Sequence, residues 1–294
     1  MKKLICIILL AIGHIQVFCQ DNIGKVVPDS WISRALKNEN QLDLIQEFNK
    51  LFPAQNIEFP SSQQPYLNIT KINLDDDEDS EYVLFLGTDY SRTTFYIIDN
   101  DYKIIFQEYL WLHNEYPELL IFNSNDQHKT LSYKYLYSRG SGQWLFTRKF
   151  IRVYDGKALL VLEIVNDSNN TFNEVGINGR IKLERIEESN GTFYVDYSYN
   201  LYPHESVLQN LGINIQDYSL IQKSRENFIY KFHNDTKKFS LYGILKDSPK
   251  EKYFFNPSND SMFLKAFSEE LEQIELNGTI TDKKVIQYLK NKGN

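Results

Sequence analysis

The chain has 294 residues, 42% hydrophobic and 14% aromatic, with 32 basic against 39 acidic side chains and a formal charge of −7. That length buries a sizeable core and accommodates one large all-β domain or two smaller ones. An acidic balance without a basic stripe argues against nucleic acid or an anionic membrane as partner, since both are bound through clustered Lys and Arg.

Residues 1–19 have the order of a secretory signal peptide. Lys2 and Lys3 precede LICIILLAIGHI, an apolar run too short to span a bilayer and closely followed by polar residues. Cleavage after Cys19 puts Val17 and Cys19 at the small-residue positions and leaves Gln20 as the new N-terminus. A lipid anchor on Cys19 is the competing outcome, opposed by Phe18 where a lipobox takes a small residue. The expected location is the periplasm, the cell surface or the medium. Cys6 and Cys19 both lie in this leader, so the mature chain has no thiol for a disulfide or a thiolate metal site. Without Lys2 and Lys3 it carries 30 basic against 39 acidic residues, a formal charge of −9.

An N-terminal helical segment is expected over 20–63. Asp29 or Ser30 can cap a turn beginning at Trp31, and QLDLIQEFNKLF (41–52) sets Leu44, Ile45, Phe48, Leu51 and Phe52 at helical spacing before Pro53 ends it. A β-rich domain follows over 64–245. From about Pro65 the texture becomes short runs of Tyr, Phe, Ile and Val separated by Asn, Asp and Gly: EYVLFLG, TTFYIID, YKIIFQEYLW, ELLIFN, LSYKYLY, FTRKFIRVY, ALLVLEIV, GRIKLERI, TFYVDYSY, NFIYKF and KFSLYG. Many short strands with turn signals between them predict an antiparallel architecture.

Three hairpins resemble one another: FYIIDNDYKII (95–105), IRVYDGKALLV (151–161) and IYKFHNDTKKFSL (229–241). Each has an aromatic strand, an Asp- or Asn-bearing turn, a lysine and a second apolar strand. Their uneven spacing fits divergent propeller blades or the chemistry that all hairpins share. Asn190-Gly191 predicts a further hairpin, with Phe193, Val195 and Tyr197 on one face. Over 246–294 the texture returns to helix: DSMFLKAFSEELEQIEL ends at Asn277-Gly278, and Thr281 can cap DKKVIQYLKNK.

The most distinctive stretch is INLDDDEDSEYVLFLG (72–87), with six carboxylates within the seven positions from Asp75 to Glu81 and an apolar run directly behind them. Counting Asn73 as the first position, oxygens recur at Asn73, Asp75 and Asp77, the Asp79 carbonyl falls at the seventh position and Glu81 at the ninth. Alternate inward side chains, one backbone carbonyl and a closing carboxylate form the oxygen shell that Ca2+ takes. An EF-hand needs a Glu at the twelfth position and a helix after it; here that position is Leu84, inside a strand. A solvated acidic turn, screened by water and salt, is the alternative, and another hard cation is a third.

NLDDDEDSEYVL resembles the calcium loops of FG-GAP and VCBS repeats, as found in integrin-α-like propellers and many secreted bacterial proteins. Asn73, Asp75, Asp77, Glu81 and the strand Tyr82 to Leu84 follow that pattern position by position. The family's glycines are replaced by Asp76 and Glu78, at a cost on the order of one or two kcal/mol if the loop needs a left-handed backbone at Glu78. The likeness is specific over 15 to 20 residues and leaves the C-terminal third outside it. It implies a mainly β fold of antiparallel sheets in an irregular or partial propeller-like assembly; the sequence adds helices flanking it at both ends.

Catalytic constellations are thin. His113, His128, His204 and His233 are not spaced for zinc, and Ser141 in RGSGQW lies between strands and not at a strand-to-helix elbow. No phosphate loop or dinucleotide fingerprint is present. The expected function is that of an exported, non-catalytic calcium-binding β protein, a structural module or a binder of protein or glycan. The alternative is a secreted glycan-active hydrolase, whose two carboxylates no local spacing would betray. Trp111 and Trp144 flank expected loops and are the aromatics placed to form a sugar platform.

Overall fold

A computed structural model describes residues 22–52, 65–75, 77–89, 92–111, 117–123, 128–140, 143–170, 176–215, 218–242, 248–255 and 260–293. Residues 1–19, expected as a signal peptide, Asp76, His113 and Ser141 lie outside the described residues. The protein is mainly β, with 50% of its residues in strands against 27% in helices, and its sheets are antiparallel. Among the described residues no helix is long and apolar enough to cross a membrane. The chain divides into two compact units, Met1–Tyr135 with Phe150–Leu160, and Leu136–Lys149 with Val161–Asn294. Both take strands from the β-rich stretch 64–245.

The first unit begins with helices α1 (Asp29–Leu36) and α2 (Gln41–Leu51). Helix α1 starts earlier than the expected caps allow. Pro28 holds the N-cap position at φ −59°, without a side-chain cap, and Asp29 sits in the first turn, where its charge complements the helix dipole. Helix α2 is capped by Asn40, whose side chain accepts from Leu42 N at 3.1 Å. Leu44, Ile45 and Phe48 are buried, as is Phe52 behind the helix, whereas Leu51 is 42% exposed and turns away from the core.

Strands β1 (Tyr66–Ile72), β2 (Glu81–Asp89), β3 (Arg92–Ile98) and β4 (Ile104–Trp111) form a four-stranded antiparallel sheet in chain order. Its centre is buried on both faces, which is why EYVLFLG is continuously apolar and not alternating. On one face Leu84, Leu86, Tyr96 and Ile98 pack with Trp31, Ile32 and Phe48 of the helices. On the other, Val83, Phe85, Phe95 and Ile97 pack with Leu131, Tyr133, Ile151 and Val153. The Trp31 indole N–H donates to Leu44 O at 2.9 Å, so the largest core side chain is satisfied and also ties α1 to α2. The second set comes from β6 (Lys129–Gly140) and β7 (Gln143–Tyr154), whose hydrogen-bonded order with β5 (Leu119–Asn123) and β8 (Lys157–Asn170) is β5-β6-β7-β8. Strands β6, β7 and β8 each give residues to both units.

In the second unit β8, β9 (Ile177–Ser189), β10 (Thr192–Pro203), β11 (Ile221–His233) and β12 (Lys238–Leu241) follow one another as an antiparallel meander. Asn190 and Gly191 join β9 to β10 with φ of 52° and 69°, the paired positive φ of a tight type I′ turn. Phe193, Val195 and Tyr197 are buried on one face as their alternation predicts. Tyr197 and Tyr199 meet Phe254 at ring-centroid distances of 5.2 and 5.7 Å.

Phe254 belongs to α4 (Pro249–Phe255); α3 (Glu205–Asn210), α5 (Asp260–Ala266), α6 (Ser268–Asn277) and α7 (Ile280–Gly293) complete the unit. The single helix expected over DSMFLKAFSEELEQIEL is broken at Phe267, which leaves helical geometry and whose ring is fully buried against Tyr253 and Phe263. The cap of α7 is Thr279 and not Thr281. Thr279 Oγ1 accepts from Asp282 N at 3.2 Å while Asp282 Oδ2 accepts from Thr279 N at 2.7 Å, a reciprocal pair that satisfies two helix-start donors.

Candidate metal centre

The acidic loop between β1 and β2 is anchored at Leu74. Its side chain is buried in the core, its N–H donates to Glu81 Oε2 at 2.7 Å, and its carbonyl accepts from Lys129 N at 3.0 Å. The carboxylates around it are thereby fixed to the sheet. Asp75 Oδ1 accepts from Asp77 N at 3.4 Å and Asp77 Oδ1 from Asp79 N at 2.9 Å, two successive side-chain turns that curl the backbone. Asn73 closes the loop by donating its amide to the Asp77 carbonyl.

This curl brings together three of the five expected ligand residues. One carboxylate oxygen from each of Asp75, Asp77 and Glu81 lies within 4.8 Å of the other two. Asn73 is engaged inside the loop as a donor. The Asp79 carboxylate is not one of the three that converge and accepts from Asn100 Nδ2 at 2.6 Å; the expected Asp79 ligand is its backbone carbonyl. Glu78 is not among the described residues with positive φ, so replacing the family's glycine there carries no left-handed strain.

The electrostatics are those of crowded carboxylates with no Lys or Arg among the described residues lining the site. Burial, against the relief given by the Leu74 N–H and reinforced by the negative Asp75 and Asp77, pushes the Glu81 carboxyl up to about 7. Asp75 is also raised, first by burial and then by Asp77. Three carboxylates held this close are arranged to gain from a divalent cation, and the donor set is oxygen throughout.

The triad opens into a hollow of about 440 Å3 whose walls the sequence reading did not foresee. Asp99, Asn100 and Asp101 come from the β3–β4 turn, and Asp155 and Gly156 from the β7–β8 turn. Asp155 and Gly156 have φ of 48° and 66°, again a type I′ pair, which presents the Asp155 side of the turn without lengthening the loop. These are the turns of the first two look-alike hairpins; the third, 229–241, belongs to the second unit. His128 also lines the hollow, packed on Tyr154 at 4.4 Å, and its buried Nδ1 has no hydrogen-bond partner. No Lys or Arg is among the described lining residues.

The other histidines and tryptophans lie elsewhere. His204 caps α3 by accepting from Ser206 N at 3.1 Å, and His233 pairs with Ser240 at 2.7 Å on the surface. Trp144 is half-buried in β7; the Trp111 side chain lies outside the described residues. Comparison with known proteins gives no relative to reason from: no family model, no curated protein and no solved structure matches the chain.

Proposed function

We propose that the protein is an exported, non-catalytic β protein whose 73–81 loop holds Ca2+ and that works outside the cytoplasm as a binding or structural module. The observation that carries this reading is the convergence of Asp75, Asp77 and Glu81 within 4.8 Å on a loop bound to the core through Leu74. Asn73 and the Asp79 carbonyl complete the ligand set, in the manner of the FG-GAP and VCBS loops. The four-stranded meander β1–β4 supports a single blade-like sheet with the ion at one of its turns. The ion replaces repulsion among ligands with attraction and so stiffens the start of β2; the leader order Lys2, Lys3 and the apolar run supports export.

Melting curves with and without Ca2+ test the reading. With a dissociation constant in the roughly 0.1–1 mM range of extracellular modules, Ca2+ at ten times that value adds about 1.4 kcal/mol by mass action. Asp77→Ala removes the shift, while Asp79→Ala, whose carboxylate faces Asn100, retains it. A melting temperature indifferent to millimolar Ca2+, or equal loss in both variants, would leave the acidic run a solvated turn.

A further inference from the structure

A second hollow, of about 460 Å3, lies wholly within the second unit, between the β9–β10 strand ends and α3 with the chain that follows it. Its size falls within the roughly 300–1,000 Å3 of small-molecule pockets. The register sets its floor. Asn178 of β9 stands opposite Tyr202 of β10, and Asn200 lies two residues before Tyr202, so the three side chains share one face.

Asn178 is 6% exposed and its Oδ1 is buried with no hydrogen-bond partner. A buried amide left unpaired is a standing cost that native proteins keep where something else completes it. Beside it, Ser219 Oγ donates to Asn200 Oδ1 at 2.7 Å, which fixes that amide with its nitrogen as the remaining donor. Tyr218 is anchored through its hydroxyl to Asp282 and supplies a ring to the wall. Leu208 and the 46%-exposed Ile215 add an aliphatic rim.

The chemistry of this lining selects its ligand by exclusion. No Lys or Arg is among the described residues that line the hollow, and Arg180, opposite Asn200 on the same face, borders the adjoining hollow, so this one itself supplies no counter-charge for phosphate or carboxylate. Among the described lining residues the one carboxylate, Glu205, is exposed and accepts from Gln209 at 2.9 Å, so these residues build no ligand set for a cation. What remains is a neutral ligand with several hydroxyls and a flat apolar side, because amides pair with hydroxyls and tyrosine rings lie against C–H faces. We propose that this hollow binds a neutral sugar ring, oriented by Asn178 and Asn200 and packed against Tyr202 and Tyr218. The site is independent of the calcium loop.

Saturation-transfer NMR on the mature chain tests it, using methyl glucoside, methyl galactoside, methyl mannoside and N-acetylglucosamine, with the corresponding disaccharides to separate a free sugar from a glycan terminus. Saturable transfer from at least one neutral pyranoside and none from inorganic phosphate is expected. Asn178→Leu is expected to lower affinity roughly tenfold, the worth of one well-placed hydrogen bond, while melting no lower than the wild type because an unpaired amide has gone. Should that variant melt lower, Tyr202→Ala decides: retained fold with weakened sugar binding supports the site, undiminished binding overturns it. Silence from every neutral pyranoside, or saturable binding of phosphate, overturns it as well.

Discussion

Glu81→Gln separates the cost of the acidic loop from its use, because its effect shrinks when calcium is bound. Glu81 is 3% exposed and its carboxyl is raised to about 7 from an ordinary 4.5. Burial is the main cause, followed, on the raising side, by Asp75 and Asp77. A carboxyl raised in the folded state holds its proton there after the unfolded chain has released it. The cation-free protein therefore loses stability as pH climbs from about 4.5 to about 7 and bears the full cost above it. At 1.36 kcal/mol per unit that cost is on the order of 3 kcal/mol. Gln has the same shape and can still accept from Leu74 N, so the substitution removes the charge and little else. In chelator at pH 8 the variant should melt several degrees above the wild type, at roughly 2–4 °C per kcal/mol, and the gap should close near pH 5. In Ca2+ at ten times its dissociation constant at pH 8 the gap should narrow by about 1.4 kcal/mol, to roughly half, since the wild type gains the ion and the variant does not. The measurement is a set of calorimetric melts at the two pH values with and without Ca2+. Variant and wild type melting together in chelator at pH 8 would refute the burial argument; a variant that gained as much from Ca2+ as the wild type would refute the role of Glu81 as ligand.

Three further substitutions test the packing and a helix end. Phe48→Ala empties the space between the helices and the sheet, where Phe48 meets Trp31 at 4.9 Å and Tyr96 at 5.2 Å, and should cost about 3–5 kcal/mol in urea unfolding, whereas Leu51→Ala, at an exposed position, should stay within about 0.5 kcal/mol. Gly278→Ala would place a Cβ 2.4 Å from the Ile274 carbonyl oxygen and 2.8 Å from Ile274 Cγ2, forcing the end of α6 to move; a loss of about 1–3 kcal/mol is expected from denaturant midpoints, and an unchanged midpoint would show that the helix end yields freely.

What the sequence made legible was what neighbouring residues decide together. EYVLFLG announces a strand because burial on both faces makes every position apolar, and Asn190-Gly191 announces its turn because few residues accept two positive φ values in a row. The edge strand YLNITKI escaped the inventory of runs because most of its side chains are exposed or half-buried, which lets Asn68, Thr70 and Lys71 interrupt its apolar residues. Division into two units was invisible for a different reason: it crosses β6, β7 and β8 in mid-strand, with no linker and no change of composition to mark it. The same contrast separates the two candidate sites. Asp75, Asp77 and Glu81 could be picked out because a loop that curls around an ion writes its ligands at alternate positions of one short segment. Asp99, Asp101 and Asp155 reach that hollow from two distant turns, so in the sequence they carry only the turn chemistry that Asp supplies anywhere. Asn178 gives no sequence signal at all, because lacking a partner is a property of what surrounds an amide. Its claim on a ligand arises only when β9 meets β10 in this register and α3 closes over their ends.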